Sequence, residues 1–410
     1  MALSINTSTM HHYARFFMGA GAAVYLAGFV FFPSSWDVLP LLLCSTLFGI
    51  TALIRRASLY SLRSERGWLG ALLFFFSVNA FLIWFHGGAL KYAETAGKAL
   101  LAVLLLWPLL TWKISFKAVQ WGVALGLLVL GYQLWLHFDW NSRFTPYYNS
   151  TKFGFAITYL GLLSAFVAYE SNAWVWRIGL AFGALVALSA ALATGTRGVV
   201  FPIAAGILII SGMLWLKVSA RFRVGLICVI ATLVVGYGQL SVVKARWSYA
   251  FDNFAAIQQL NFNGSVGYRL VMWEAGAQAG LRHPLVGQGF DYPEIMASFE
   301  SDVGNKEEIA DYLGGAFRLF HNVWIDAFAM MGLLGLTTLI ALIIGAFSGL
   351  SASSRRLLLA PMIGMFIGGL TDSLMHLSVT GTFFLICVTL IRAIDWDHSA
   401  SINDNSRSKA

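Results

Sequence analysis

Apolar runs close to the length of a membrane crossing recur along the chain, at 14–32, 37–54, 67–85, 96–111, 117–137, 153–169, 174–193, 198–216, 222–240, 321–349, 355–375 and 377–394. Most approach the ~20 residues that an α-helix needs to cross a hydrocarbon core. Lipid offers no partner to a free backbone N–H or C=O, so such runs cross as helices. The pattern predicts an all-α polytopic membrane protein with about 12 transmembrane helices. The first run, roughly Phe16 to Phe32, is long enough for a signal peptide. It lacks a small-residue cleavage site and is followed directly by further runs, so it reads as a permanent first helix.

The series is interrupted once, at 241–320. Apolar positions at helical spacing (Leu270, Trp273, Ala277) and turn signals at Asn263-Gly264 and His283-Pro284 predict short helices there, lying over the membrane surface as a cap. The chain thus divides into transmembrane helices 1 to 9 over 1–240, a loop domain over 241–320, helices 10 to 12 over 321–394 and a polar tail over 395–410.

The loops alternate in charge. Arg55, Arg56, Arg63 and Arg66 fill the second loop, Lys113 and Lys117 the fourth, Lys217, Arg221 and Arg223 the eighth, and Arg355 and Arg356 the tenth, while Arg177 flanks the sixth. Lys and Arg accumulate in cytoplasmic loops, which assigns these even-numbered loops and both termini to the cytoplasm and the large loop to the outer face.

Composition strengthens this reading. Hydrophobic residues make up 58% of the chain and charged residues 11%, far below the ~25% of a soluble domain. Membrane lipid is therefore a partner of most of the chain. The net charge of +8 could serve a nucleic acid, but its distribution over alternate loops explains it as topology, so no nucleic acid is expected. Cys44, Cys228 and Cys387 each sit inside an apolar run, at no metal-binding spacing, and read as small buried residues.

Unusual polar residues gather on the predicted outer side. The turn Thr194-Gly195-Thr196-Arg197-Gly198 puts an arginine between two apolar spans. A charge there is costly unless it meets an anion, lines a wet cavity or snorkels to headgroups. Arg269 opens a helical pattern after a glycine turn in the large loop; a solvated surface arginine is its plainer explanation. His321-Asn322 stands where the large loop re-enters the membrane. A histidine so placed can act as a base, or it can simply anchor the interface. Arg143, Tyr147, Tyr148, Asn149 and Lys152 cluster before the sixth span and suit a diphosphate or a sugar as well as an ordinary interface. Asp372, an acid within the eleventh run, suits contact with a substrate or an arginine, or bracing of the bundle. Asp395-Trp396-Asp397 resembles an Asp-x-Asp metal motif but lies on the cytoplasmic side, and no outer carboxylate cluster resembles a Mg²⁺ site. Neither a metal nor another cofactor is expected.

Together these pieces resemble the O-antigen ligase family, with its relatives among O-antigen polymerases and bacterial O-oligosaccharyltransferases. The resemblance rests on Thr196-Arg197-Gly198, the Arg269 segment, His283-Pro284-Leu285-Val286-Gly287-Gln288-Gly289-Phe290, and His321-Asn322 followed by Gly332 and Gly335. The sequence departs at Tyr147-Tyr148-Asn149, where relatives often carry an Asn-Pro-Asn-like stretch. The resemblance implies a bacterial inner-membrane glycosyltransferase of lipopolysaccharide biosynthesis. Its donor would be a glycan on undecaprenyl diphosphate and its acceptor a sugar hydroxyl of lipid A-core, joined at the periplasmic face with inversion and without metal. His321, Arg197 and Arg269 are then the catalytic candidates; Arg143, Tyr148, Asn149, Lys152, Asn322 and Asp372 are the substrate-binding ones. Polymerase and protein-transferase alternatives would share these residues. A transporter of lipid-linked glycans would instead call for internal repeats and charges spread along a path through the bilayer.

Overall fold

A computed structural model of the chain describes residues 65–87, 113–138, 150–215, 241–316, 319–375 and 378–395, with isolated positions at 19, 20, 23, 97 and 144. Apart from those isolated positions, the spans expected at 14–32, 37–54, 96–111 and 222–240, and the residues Arg143, Tyr148 and Asn149, lie outside the described residues.

The described part is almost wholly helical. Six helical segments are long and apolar enough to cross a membrane: Arg66–Phe85 (α1), Phe116–His137 (α2), Ser150–Glu170 (α3), Trp174–Ala193 (α4), the segment Arg197–Trp215, in which a 3-10 turn leads into α5 (Val200–Trp215), and Val323–Phe347. Each falls within a few residues of a run read from hydropathy. α3 is the central one: 83% of its apolar window is buried, against 28–39% in α1, α2, α4 and the Arg197–Trp215 segment. The others turn large side chains outward, among them Trp84, Leu128, Trp135, Phe182 and Leu208. Such a surface suits a lipid surround and would be a liability in water.

Residues 241–316 fold into four helices: α6 (Ser241–Gln258), α7 (Ser265–Arg282), α8 (Tyr292–Ala297) and α9 (Lys306–Ala316). α10 is Val323–Phe347 and packs against both α1 and α7. Gly276 and Gly280 make the α7–α10 approach close; a Cβ at either would strike Ile325 or Phe328.

α10 is broken at Gly332, whose φ of 59° lies in the left-handed region. The segment His283–Phe290 is wedged into that break. Leu333 N donates to Pro284 O at 2.8 Å and Leu334 N to Leu285 O at 3.1 Å, while Gln288 N and Gly289 N donate to Ala329 O and Met330 O. A broken helix exposes backbone groups that need partners, and the loop supplies them. Gly287, at φ 72°, lies directly against the backbone of Met330 and Met331, where no side chain fits. The His-Pro-x-x-Gly-x-Gly motif is thus a backbone brace for the kink that aims the start of α10.

The run at 355–375, expected as one span, is subdivided. α11 (Ala352–Met362) contains Pro361 and passes into a π turn at Ile363–Ile367 and a 3-10 turn at Gly368–Leu370. The last described helix is α12 (Ser378–Arg392), 15 residues long. A two-residue parallel pairing, Ile114–Ser115 with Ile394–Asp395, closes the bundle at one end.

That end also holds the buried ion pairs. Arg392 pairs with Glu65 and donates to the carbonyls of Gly345, Ala346 and Ser348, which ties the start of α1 to the ends of α10 and α12. Arg356 at the start of α11 pairs with Glu170 at the end of α3. Arg66, Lys117 and Arg177 sit at the helix termini of this same end. The Thr-Arg-Gly turn, the start of α10 and the Thr371-Asp372 turn occupy the opposite end.

Candidate active site

The site forms where four segments meet. The first is the turn between α4 and α5. Thr194 Oγ1 donates to Ala191 O and Thr196 Oγ1 to Ser150 O, fastening the turn to the start of α3. Gly195 takes the left-handed conformation the turn requires, at φ 67°. Gly198 then packs against Thr371, bringing the Arg197 turn beside Asp372. Arg197 reaches across to the large insert: its Nη1 donates to Ser265 Oγ at 3.0 Å and its guanidinium lies 5.6 Å from the centre of the Tyr249 ring.

The second segment is α7. Ser265 and Arg269 are four residues apart, on one face of its first turns. Arg197 therefore docks one helical turn from Arg269. Among the described residues Arg269 has no hydrogen-bonding or ion-pairing partner. Burial lowers its pKa below the ordinary arginine range, and the Asp372 carboxylate works in the opposite direction. A partly desolvated guanidinium with five free donors has a strong claim on an anion.

The third and fourth segments are the start of α10 and the Thr371-Asp372-Ser373 turn. His321 Nδ1 lies 3.2 Å from Asp372 Oδ1; the His321 side chain is 29% exposed and that of Asp372 is 4% exposed. Ser373 N donates to the same Asp372 oxygen at 2.9 Å. A carboxylate bound at Nδ1 fixes that nitrogen as the proton carrier and leaves the lone pair at Nε2.

His321 itself adopts a φ of 53°. For a residue with a side chain this conformation costs ~1–3 kcal/mol and persists where neighbours over-determine it. They do so here. Phe320 N donates to Asp326 Oδ1 at 2.8 Å, and Asp326 N to Asn322 O at 2.8 Å. Asn322 caps α10: its Oδ1 accepts from Trp324 N at 2.9 Å and Ile325 N at 3.3 Å, and its Nδ2 donates to Leu370 O at 3.1 Å. Its amide, expected to meet substrate, is thus engaged in tying α10 to the turn that carries Asp372. Tyr292 stands behind this loop, its ring 4.9 Å from that of Phe320. Burial first, and the nearby Asp326 second, push its phenol above the ordinary tyrosine range, so it stays a neutral hydroxyl.

Of the expected site residues, Arg197, Arg269, His321 and Asp372 come together. Lys152 lies at the same end, on the first turn of α3, two residues from the Gly154 that faces Thr194 and Thr196. Asp326 was not singled out from sequence. An acid in the first turn of an otherwise apolar span was its available signal. Among the described residues no three His, Cys, Asp or Glu side chains form a group that could hold a metal ion.

The arrangement offers two arginine forks beside a histidine whose ring is held by a buried carboxylate. Chemically it can bind an oxyanion and take a proton from a hydroxyl next to it. No curated relative matches the chain. The family model described as O-antigen ligase matches residues 182–340 and supports a ligase- or polymerase-type function. That span holds Arg197, Arg269 and His321, and the match bears out the chain's resemblance to the O-antigen ligase family.

Proposed function

We propose that the protein is an O-antigen ligase of the bacterial inner membrane, transferring a glycan from undecaprenyl diphosphate to a sugar hydroxyl of lipid A-core at the periplasmic face. The observation that carries this reading is the meeting of Arg197, Arg269 and the His321–Asp372 pair at one end of the bundle. The opposite end carries Arg66, Lys117, Arg177 and Arg356, the charge expected of a cytoplasmic face.

In this reading the acceptor hydroxyl gives its proton to His321 Nε2 as its oxygen bonds to the anomeric carbon. The bond from that carbon to the phosphate oxygen breaks, and the electron pair leaves with undecaprenyl diphosphate. Arg197 and Arg269 hold the charge that develops on the departing diphosphate. Guanidinium forks match phosphate oxygens and are strongest where water is partly excluded. Attack from the side opposite the diphosphate inverts the anomeric centre, and no step calls on a metal. Asp372 orients the imidazole and stabilises the imidazolium that forms, and Lys152, with Arg143, Tyr148 and Asn149, contributes to binding the donor.

Purified protein in lipid nanodiscs, given lipid-linked glycan and lipid A-core, tests this. The expected product is the glycan–lipid A-core conjugate, formed equally well with chelator present. Longer lipid-linked glycan in place of the conjugate would identify a polymerase. Absence of both products, with donor bound, would refute the transferase reading.

A further inference from the structure

Beside Arg197 the large insert carries an open groove of about 480 Å³ between the end of α6 and the start of α7. The volume falls within the ~300–1,000 Å³ of small-molecule sites. Tyr249, Asp252, Asn253, Asn263, Ser265 and Tyr268 line it. Two of these, Tyr249 and Ser265, are the residues that Arg197 touches, so the candidate diphosphate ligand stands at the groove's rim. Asn253 is 4% exposed, and its Oδ1 is buried with no hydrogen-bond partner among the described residues. Its Nδ2 is held by Tyr249 O, which fixes the amide in place. Gly264, at φ 114°, lies against that amide and leaves no room for a side chain.

The lining discriminates between ligand classes. An anion would meet the Asp252 carboxylate, and among the described residues no Lys or Arg lines the groove. A lipid tail would cover the Asp252 carboxylate and leave Asn253 Oδ1 without a partner. A neutral sugar satisfies both kinds of surface. Its hydroxyls pair with carboxylate, amide and hydroxyl groups, and the apolar faces of its ring lie on tyrosine rings. We infer that this groove is a carbohydrate subsite that holds the donor glycan next to its diphosphate, with Arg197 at the boundary between phosphate and sugar. The inference rests on the ligase reading for the identity of the donor. The groove's chemistry points to sugar independently of it.

The test uses the full chain in nanodiscs and a free oligosaccharide released from the lipid-linked donor by mild acid. The wild type should bind it saturably by saturation-transfer NMR. The double variant Asp252→Ala/Asn263→Ala changes exposed side chains and should weaken that binding by about tenfold. In transfer assays the same variant should raise KM for the lipid-linked donor by about tenfold, with kcat within about twofold. Unchanged KM and unchanged oligosaccharide binding, in a protein that still makes conjugate, would overturn the inference and leave the ligase reading standing. Oligosaccharide binding lost in the variant of a protein that makes no conjugate would support the subsite and refute the ligase reading. Weakened binding of free lipid A-core oligosaccharide, with donor glycan unaffected, would assign the groove to the acceptor and overturn the inference as stated.

Discussion

Replacing Arg269 by alanine lowers the rate of glycan transfer by about 10²–10³-fold, the usual cost of removing one preorganised donor from a developing oxyanion. Arg269 sits half-buried on α7, and among the described residues no hydrogen bond is lost with its side chain. Its pKa is already depressed by burial, with Asp372 opposing. A bound diphosphate favours the charged form and stabilises it further. Arg269→Lys should recover little, because an ammonium is a point charge and cannot present two parallel donors to a phosphate. Arg197→Ala should cost a comparable factor, with an added loss of order in the insert, since Arg197 also ties the α4–α5 turn to Ser265. Initial rates of conjugate formation by purified variants check this, alongside thermal unfolding near that of the wild type. A full rate in Arg269→Ala would remove it from the site.

Replacing His321 by alanine should leave donor binding intact and lower transfer by about 10²–10⁴-fold, the typical contribution of a positioned base. The geometry makes the role specific. Asp372 accepts a hydrogen bond from His321 Nδ1, and Phe320, Asn322 and Asp326 hold the backbone in a left-handed conformation that aims the ring. Asp372→Asn should lower kcat with little change in KM, because an amide can present N–H to Nδ1 and reverse the tautomer. The sign of the pH dependence separates two roles. A base must be neutral to accept a proton, so its activity falls as pH decreases. An imidazolium bound to phosphate would lose activity as pH increases. Measured profiles of kcat/KM that fall on the alkaline side alone, or a variant whose only defect is donor affinity, would assign His321 to phosphate binding.

Much of this arrangement was legible in the sequence, and the reasons differ by element. Hydropathy located the spans at 67–85, 117–137 and 174–193 because lipid requires a continuous apolar helix, so composition alone carries the signal. It could not show the break in α10. Residues 321–349 read as one uninterrupted run, whereas the kink at Gly332 depends on hydrogen bonds from His283–Phe290, some forty residues away. The run at 355–375 misled for a related reason. Pro361 and the glycines at 364, 368 and 369 are compatible with a membrane helix, and only tertiary packing turns them into a π turn and a 3-10 turn. Arg197, Arg269 and His321 stood out because charge at an apolar boundary is costly. Asp326 did not, since a single acid within a strongly apolar run looks like an interruption until its bond to Phe320 N is seen.

The central claim is that His321 activates an acceptor hydroxyl for direct displacement of a diphosphate held by Arg197 and Arg269. The anomeric configuration of the new glycosidic bond, determined by NMR on conjugate made from a donor of known configuration, tests it most directly. A single displacement predicts complete inversion. Retention would require two displacements through a covalent glycosyl-enzyme intermediate, and would contradict His321 acting as the base for a one-step transfer.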